Sequence, residues 1–145
     1  METNNINKAL EIMNERFGQD TLISLATVDG NIPSVRIINS YYDNGCFYSI
    51  TYALSKKMKQ IEANPIVAVC GEWFTAHGVA KNLGYICDEK NSEIAEKLRK
   101  AFSAWYSNGH INESDPNTII LCIRLTDGVL FSHGTRYDID FNTIS

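Results

Sequence analysis

The shortness of its first turns constrains this chain more than any other feature. Thr21 to Val28 and Pro33 to Tyr42 are rich in β-branched and apolar residues, and Asp29-Gly30-Asn31 joins them. Asp43-Asn44-Gly45 then leads straight into a third such segment, Cys46 to Thr51. Turns of this length and chemistry reverse a strand beside itself. A parallel crossover needs a dozen or more residues, so a doubly wound α/β sheet is disfavoured and an antiparallel meander is expected.

The remaining segments extend that reading. Ile6, Ala9, Leu10, Met13 and Phe17 recur at helical spacing, and Gly18 closes that first helix. A short helix is predicted from about Ser55 to Ala63, stopped at Asn64-Pro65 because the residue before proline disfavours helical angles. Strands are predicted over Ile66 to Cys70 and Trp73 to Leu83. A longer amphipathic helix is predicted from about Ser92 to Tyr106, ended by Asn108-Gly109. Thr118 to Leu125 and Val129 to Ser132 then read as a last hairpin around Asp127-Gly128. Strands at short, regular spacing with few helices between them imply one mainly β domain closed as an antiparallel barrel.

Charge and cysteine pattern remove several function classes. A net charge of −4 argues against general nucleic-acid binding, which needs a basic surface to displace counterions. No apolar run reaches the length of a membrane span, and the first twenty residues carry no signal-peptide core, so a cytoplasmic protein is expected. Cys46, Cys70, Cys87 and Cys122 form no C-x-x-C pair, and His77, His110 and His133 are equally scattered. No metal site is therefore expected, and the cysteines read as reduced, structural thiols, three of them in apolar strand-like stretches.

The chemistry concentrates between Ser34 and Pro65. The second helix opens Ser55-Lys56-Lys57, although a helix N-terminus is partly positive and favours acidic residues. Two lysines there make sense beside a bound anion, which the unpaired N–H groups of the first turn also attract. Ser55 can cap the helix and offer its hydroxyl to the same anion. Arg36 interrupts the apolar run Val35-Arg36-Ile37-Ile38, and its guanidinium fork suits phosphate. Ser49 and Thr51 alternate onto one strand face just before the helix and add hydroxyl donors. Taken singly, an arginine such as Arg36 is more often a solvent-facing or salt-bridged strand residue, and Lys56-Lys57 usually a solvated surface pair. Their combination points to a phosphate.

The order "PSVRII", "CFYSIT", "SKKMKQIEANP" resembles the FMN-binding core of the pyridoxamine-5′-phosphate-oxidase-like split barrels, and is most similar to short members related to general stress proteins. The matching positions are Arg36, Thr51, Ser55, Lys57 and Asn64-Pro65, with Gly78 and Ala80 in the family's Gly-x-Ala place. The resemblance implies an FMN-binding, Greek-key split β-barrel and a homodimer with two FMN sites at its interface. It places Arg36, Ser55 and Lys57 on the phosphate, with Lys56 and Thr51 supporting them. Backbone around Ile37, Ile38, Ser49 and Ile50 lies along the ribityl chain and ring, and the partner subunit closes the site, with Trp73 the candidate for that role. Ordinary core or dimer-interface packing is the slightly favoured account of Trp73. The chain lacks the namesake enzyme's C-terminal arginine- and histidine-containing substrate segment, which argues against vitamin B6 oxidation. His133 and Arg136 near the C-terminus read either as pocket residues or as a polar hairpin tip.

Two functions follow as expectations. One is a flavin-dependent oxidoreductase acting on a small molecule, with FMN carrying the electrons and no side-chain nucleophile or acid–base pair evident. The other is a non-catalytic flavin- or haem-binding storage or sensor protein on the same fold, with His77 or His133 as the haem ligand.

Overall fold

Strands β1 (Thr21–Asp29) and β2 (Ile32–Asp43) pair along the whole of β1, from Thr21 opposite Ser40 to Asp29 opposite Ile32. The computed structural model, which describes residues 3–143, continues with β3 (Cys46–Tyr52), β4 (Ile66–Gly71), β5 (Phe74–Tyr85), β6 (Thr118–Ser132) and β7 (Thr135–Asp140). Strand order is β3-β2-β1-β4-β5-β6, and β6 pairs back onto β3, so six antiparallel strands close into a barrel. Strand β6 is shared: Thr118 to Arg124 pair with β3, while Asp127 to Ser132 pair with β7. That division makes this a split barrel.

Alternation along each strand sets the core. Ile23 and Leu25 of β1, Phe47 of β3, Val67 and Val69 of β4 and Leu121 and Ile123 of β6 are buried inside. Helix α1 (Thr3–Phe17) covers one end with Ala9, Met13 and Phe17. Phe17 sits 5.5 Å, centroid to centroid, from both Phe47 and Phe74. Arg16 fixes that helix end by donating to the carbonyls of Glu72 (2.9 Å) and Phe131 (3.1 Å). Helix α2 (Lys56–Ala63) packs on β1 toward the other end, burying Met58, Gln60 and Ile61. Helix α3 (Ser92–Ala101) lies outside the barrel, where Ala95, Leu98 and Phe102 form a second cluster with Ile86 and Ile120. Among the described residues, no helix is long and apolar enough to cross a membrane.

Three sequence expectations are corrected. Asp127-Gly128 is not a turn but part of continuous β6, beside a register shift in its pairing with β5 between His77 and Gly78. Glycine is required there for space: a Cβ on Gly128 would stand 2.9 Å from Cε1 of Phe74 and 3.1 Å from Cε2 of Phe141. The true hairpin tip is His133-Gly134, with φ of 49° and 78°, the left-handed pair that a tight two-residue turn demands. It explains His133 as a tip residue. The third helix ends at Ala101 rather than Tyr106, because the next aromatics are drawn to other partners. Trp105 stacks on Phe102 at 4.9 Å and donates from Nε1 to Asp20 (2.8 Å), while the Tyr106 hydroxyl donates to Glu113. Finally, no cysteine is buried: Cys70 and Cys87 are exposed and Cys46 and Cys122 half-buried, all four as free thiols.

Glu113 ties this irregular segment down. Arg99 donates to it from Nε (2.9 Å) and Nη2 (3.0 Å), and Tyr85 donates to its backbone carbonyl. These contacts, led by Arg99, hold the Glu113 carboxyl down from the usual 4.5 to about 2. A depressed carboxyl stabilises the fold above its unfolded value and loses that contribution as pH falls toward its folded value. After discounting for partial solvent screening the effect is about 1 kcal/mol, or roughly 2–4 °C in Tm. Thermal melts between pH 5 and about pH 2 are expected to show this extra loss in wild type, and Glu113→Gln should remove it.

Candidate anion and cofactor site

Arg36 lies on the inward face of β2, near the end of the barrel that α2 covers. Its Nη1 donates to the Leu25 carbonyl (3.1 Å) and to Thr27 Oγ1 (2.8 Å), and its Nη2 to Gln60 Oε1 (3.3 Å). Thr27 in turn donates to Gln60, so two buried polar side chains orient the guanidinium. Three of its five N–H groups are thereby used, which leaves Nε–H and one Nη2–H uncommitted among the described residues. That side of the fork is suited to two oxygens of one anion.

Lys57 enters from the first turn of α2. It is half-buried, and its Nζ donates to Thr51 Oγ1 at the end of β3. Desolvation, then the neighbouring Arg36 charge, push the Lys57 ammonium below its ordinary pKa, and desolvation likewise lowers that of Arg36. Neither makes an ion pair among the described residues. Ser55 caps the helix, its Oγ accepting from the Met58 N–H at 3.4 Å, which leaves the hydroxyl proton for a further acceptor. Two partly desolvated cations and a helix N-terminus therefore converge without a counter-charge. Those residues fit a phosphate ester, whose charge would offset the repulsion between Arg36 and Lys57.

The other sequence candidates are placed as follows. Thr51 belongs to the cluster through Lys57. Lys56 is exposed and lines a groove with Val28, Asp29, Lys59, Asn64 and the Gln60 that contacts Arg36. Ser49 is buried, and its hydroxyl donates to the Asn39 carbonyl at 2.7 Å, so what it can offer a ligand is its backbone. Ile38 points inward, Ile37 is 68% exposed on the outer face, and Ile50 packs beneath α3. Trp73 sits in the β4–β5 turn with φ of 52° and is 71% exposed. That turn adjoins the α1 end of the barrel, away from Arg36 and Lys57 in the same chain. Thr27 and Gln60 were not singled out from the sequence. The available signal was a threonine at an inward position after Ile23 and Leu25.

A second feature lies on the outside. Across β1, β4, β5 and β6 runs a cleft of about 330 Å³, lined by Ser24, Ala26, Val35, Cys70, His77 and Asp127 among others. Beside it Leu22, Val35 and Ile37 are 60%, 69% and 68% exposed, an apolar outer face on β1 and β2. His77 Nδ1 meets Asp127 Oδ1 at 3.0 Å on the cleft wall.

Comparison with solved structures supports the same architecture. The chain is similar to General Stress Protein 26 from Bacillus anthracis str. Sterne, at 20% identity over 94% of this chain and 97% of that one, with a TM-score of 0.63. It is similar to an FAD-binding protein from Mesorhizobium loti, at 15% identity over 88% and 92% of the two chains and a TM-score of 0.61. A heme binding protein from Mycobacterium smegmatis shares 12% identity over 86% of this chain and 54% of that one, with a TM-score of 0.65. No curated protein matches the sequence. The profile of the pyridoxamine 5′-phosphate oxidase family matches residues 10–130, most of the barrel and both halves of the Arg36–Lys57 cluster. The chain belongs to the pyridoxamine 5′-phosphate oxidase family.

Proposed function

We propose that the protein is an FMN-binding flavoprotein, a homodimer that uses the flavin for oxidoreduction of a small molecule. The observation that carries this reading is the pair of partly desolvated cations, Arg36 and Lys57, beside a helix N-terminus, neither of them ion-paired among the described residues. Arg36 grips the phosphate through its uncommitted edge, Lys57 neutralises it, and Ser55 with the first-turn N–H groups completes the cradle. When bound, FMN supplies hydride and single-electron transfer, while the protein supplies position and electrostatics. The apolar outer face of β1 and β2 is the surface we assign to the dimer contact, since an exposed apolar area of this kind marks an interaction site. In that arrangement Trp73 reaches the site only from the partner subunit.

A second reading takes haem at the outer cleft. Asp127 meets His77 at Nδ1 and leaves Nε2 without a hydrogen bond among the described residues, the arrangement in which a carboxylate orients a ligating imidazole. The spectrum separates the two: added FMN with flavin absorbance retained through gel filtration supports the first, and a Soret band on adding haemin supports the second.

The phosphate grip makes a sharper prediction. Riboflavin, which lacks the phosphate, is expected to bind roughly tenfold or more weakly than FMN by fluorescence titration. Equal affinity for the two would remove the phosphate assignment. The grip is also pH-dependent. An anion prefers protonated Lys57, so FMN affinity should fall as pH rises through the lysine's titration, while the flavin-free protein gains stability over the same range as a desolvated ammonium beside Arg36 loses its charge.

A further inference from the structure

On the outer face of the barrel, pairing of β3 with β6 sets Cys46 opposite Arg124 and Tyr48 opposite Cys122. Strand alternation puts these four side chains on one face, with Cys46 and Cys122 as diagonal neighbours. Both are half-buried rather than enclosed. Cys46 also opens onto a cavity of about 210 Å³ that it lines with Asn44, Gly45, Arg124 and Asn142, large enough for a small oxidant.

We propose that Cys46 and Cys122 are a reversible redox pair, in which a hydroperoxide oxidises Cys46 and Cys122 resolves the product as a disulfide. The two thiols are inequivalent in the direction this requires. The neighbouring Cys122 thiol, with help from Tyr48 and Arg124 and against burial and the nearby Asp43, lowers the Cys46 thiol below its ordinary range. Cys122 is held well above the ordinary range by the neighbouring Cys46 and by burial, against opposing effects of Tyr48 and then of Lys81, its cross-strand neighbour on β5. Asp43 is itself engaged by Lys97 at 2.9 Å. Of the two thiols Cys46 is the more readily ionised, which makes its sulfur the attacking one.

The Cys46 thiolate attacks one peroxide oxygen, forming S–O as O–O breaks; the other oxygen leaves as hydroxide or alkoxide and takes a proton from water. Cys122 sulfur then attacks Cys46 sulfur, forming S–S as S–O breaks. The departing hydroxide carries off the Cys122 proton as water, so two thiols are oxidised and one peroxide is reduced. Diagonal neighbours stand about 7–8 Å apart at Cα, slightly beyond the usual reach of a disulfide. Closure needs a small shift of Cys46, the first residue of β3, just after the Asn44-Gly45 turn. A bond closed against that shift is strained, and strained disulfides are the readily reduced ones. Cys70 has no second thiol paired with it in the sheet, and Cys87 Sγ is engaged with the Glu113 carboxylate at 3.2 Å.

The test uses the full-length protein with stoichiometric hydrogen peroxide at pH 7, followed by peptide mapping without reduction. The expected product is a Cys46–Cys122 disulfide that dithiothreitol reverses. In Cys122→Ser, Cys46 should accumulate as a sulfenic acid trapped by a dione reagent, and in Cys46→Ser, Cys122 should stay unmodified. Without peroxide, iodoacetamide should label Cys46 several-fold faster than Cys87. Oxidation appearing first at Cys70 or Cys87, a disulfide joining any other pair, or equal labelling of Cys46 and Cys87 would overturn the proposal.

Discussion

Lys57→Met is expected to weaken FMN binding roughly ten- to a hundredfold while leaving the flavin-free protein at least as stable as wild type. The substitution keeps the aliphatic stem and removes one charge-assisted contact with the phosphate, worth about 1.5–3 kcal/mol. In the flavin-free protein the same ammonium is half-buried beside Arg36 and is held below its ordinary pKa by desolvation and by that neighbour. Removing it relieves both penalties, and the loss of its hydrogen bond to Thr51 is offset at a position water can reach. The two effects run in opposite directions, which is the mark of a residue kept for a ligand. Arg36 is the less clean probe, because it also binds the Leu25 carbonyl, Thr27 and Gln60. Titration of flavin fluorescence and thermal melts on the same samples decide the matter. Wild-type affinity in Lys57→Met would remove the lysine from the site.

Val35→Asp should have a larger effect on assembly. At a side chain 69% exposed in the single chain, a carboxylate is worth no more than about 0.5 kcal/mol to folding. Placed in an apolar contact between two copies it must be desolvated without a partner, at a cost of several kcal/mol per subunit. The dimer dissociation constant should then rise by about a thousandfold or more. Analytical ultracentrifugation is expected to show a folded monomer at micromolar concentration where wild type is dimeric, together with loss of bound FMN. An unchanged dimer would place the contact on another face.

What the residues disclosed by themselves follows the range of the interaction responsible. The β1–β2–β3 meander and the start of α2 are legible to within a residue or so, because turn residues and an N-cap serine act on their immediate neighbours. Arg36 and Lys57 stand out for a related reason: each violates a local rule, a cation inside an apolar strand or at the wrong end of a helix. Gly128 misled because its purpose is non-local, to admit the rings of Phe74 and Phe141, and no neighbour in sequence announces that. Helix α3 was overextended for the same reason, since Asp20 and Glu113 claim Trp105 and Tyr106 from distant positions. Thr27 and Gln60 acquire their role only when β1 and α2 are brought onto Arg36.

The pairing that closes the barrel, β3 against β6, also dictates an order of events during synthesis. Everything that holds the proposed phosphate, from Leu25 to Gln60, emerges from the ribosome before β6 does. Strand β3 must then wait with one hydrogen-bonding edge bare until residues Thr118 to Arg124 appear. Long-range closure of this kind is slow, and a bare strand edge recruits other strands. A nascent or truncated chain ending before β6 is consequently the species most prone to aggregate, and completing β6 is the step that makes the protein safe to release.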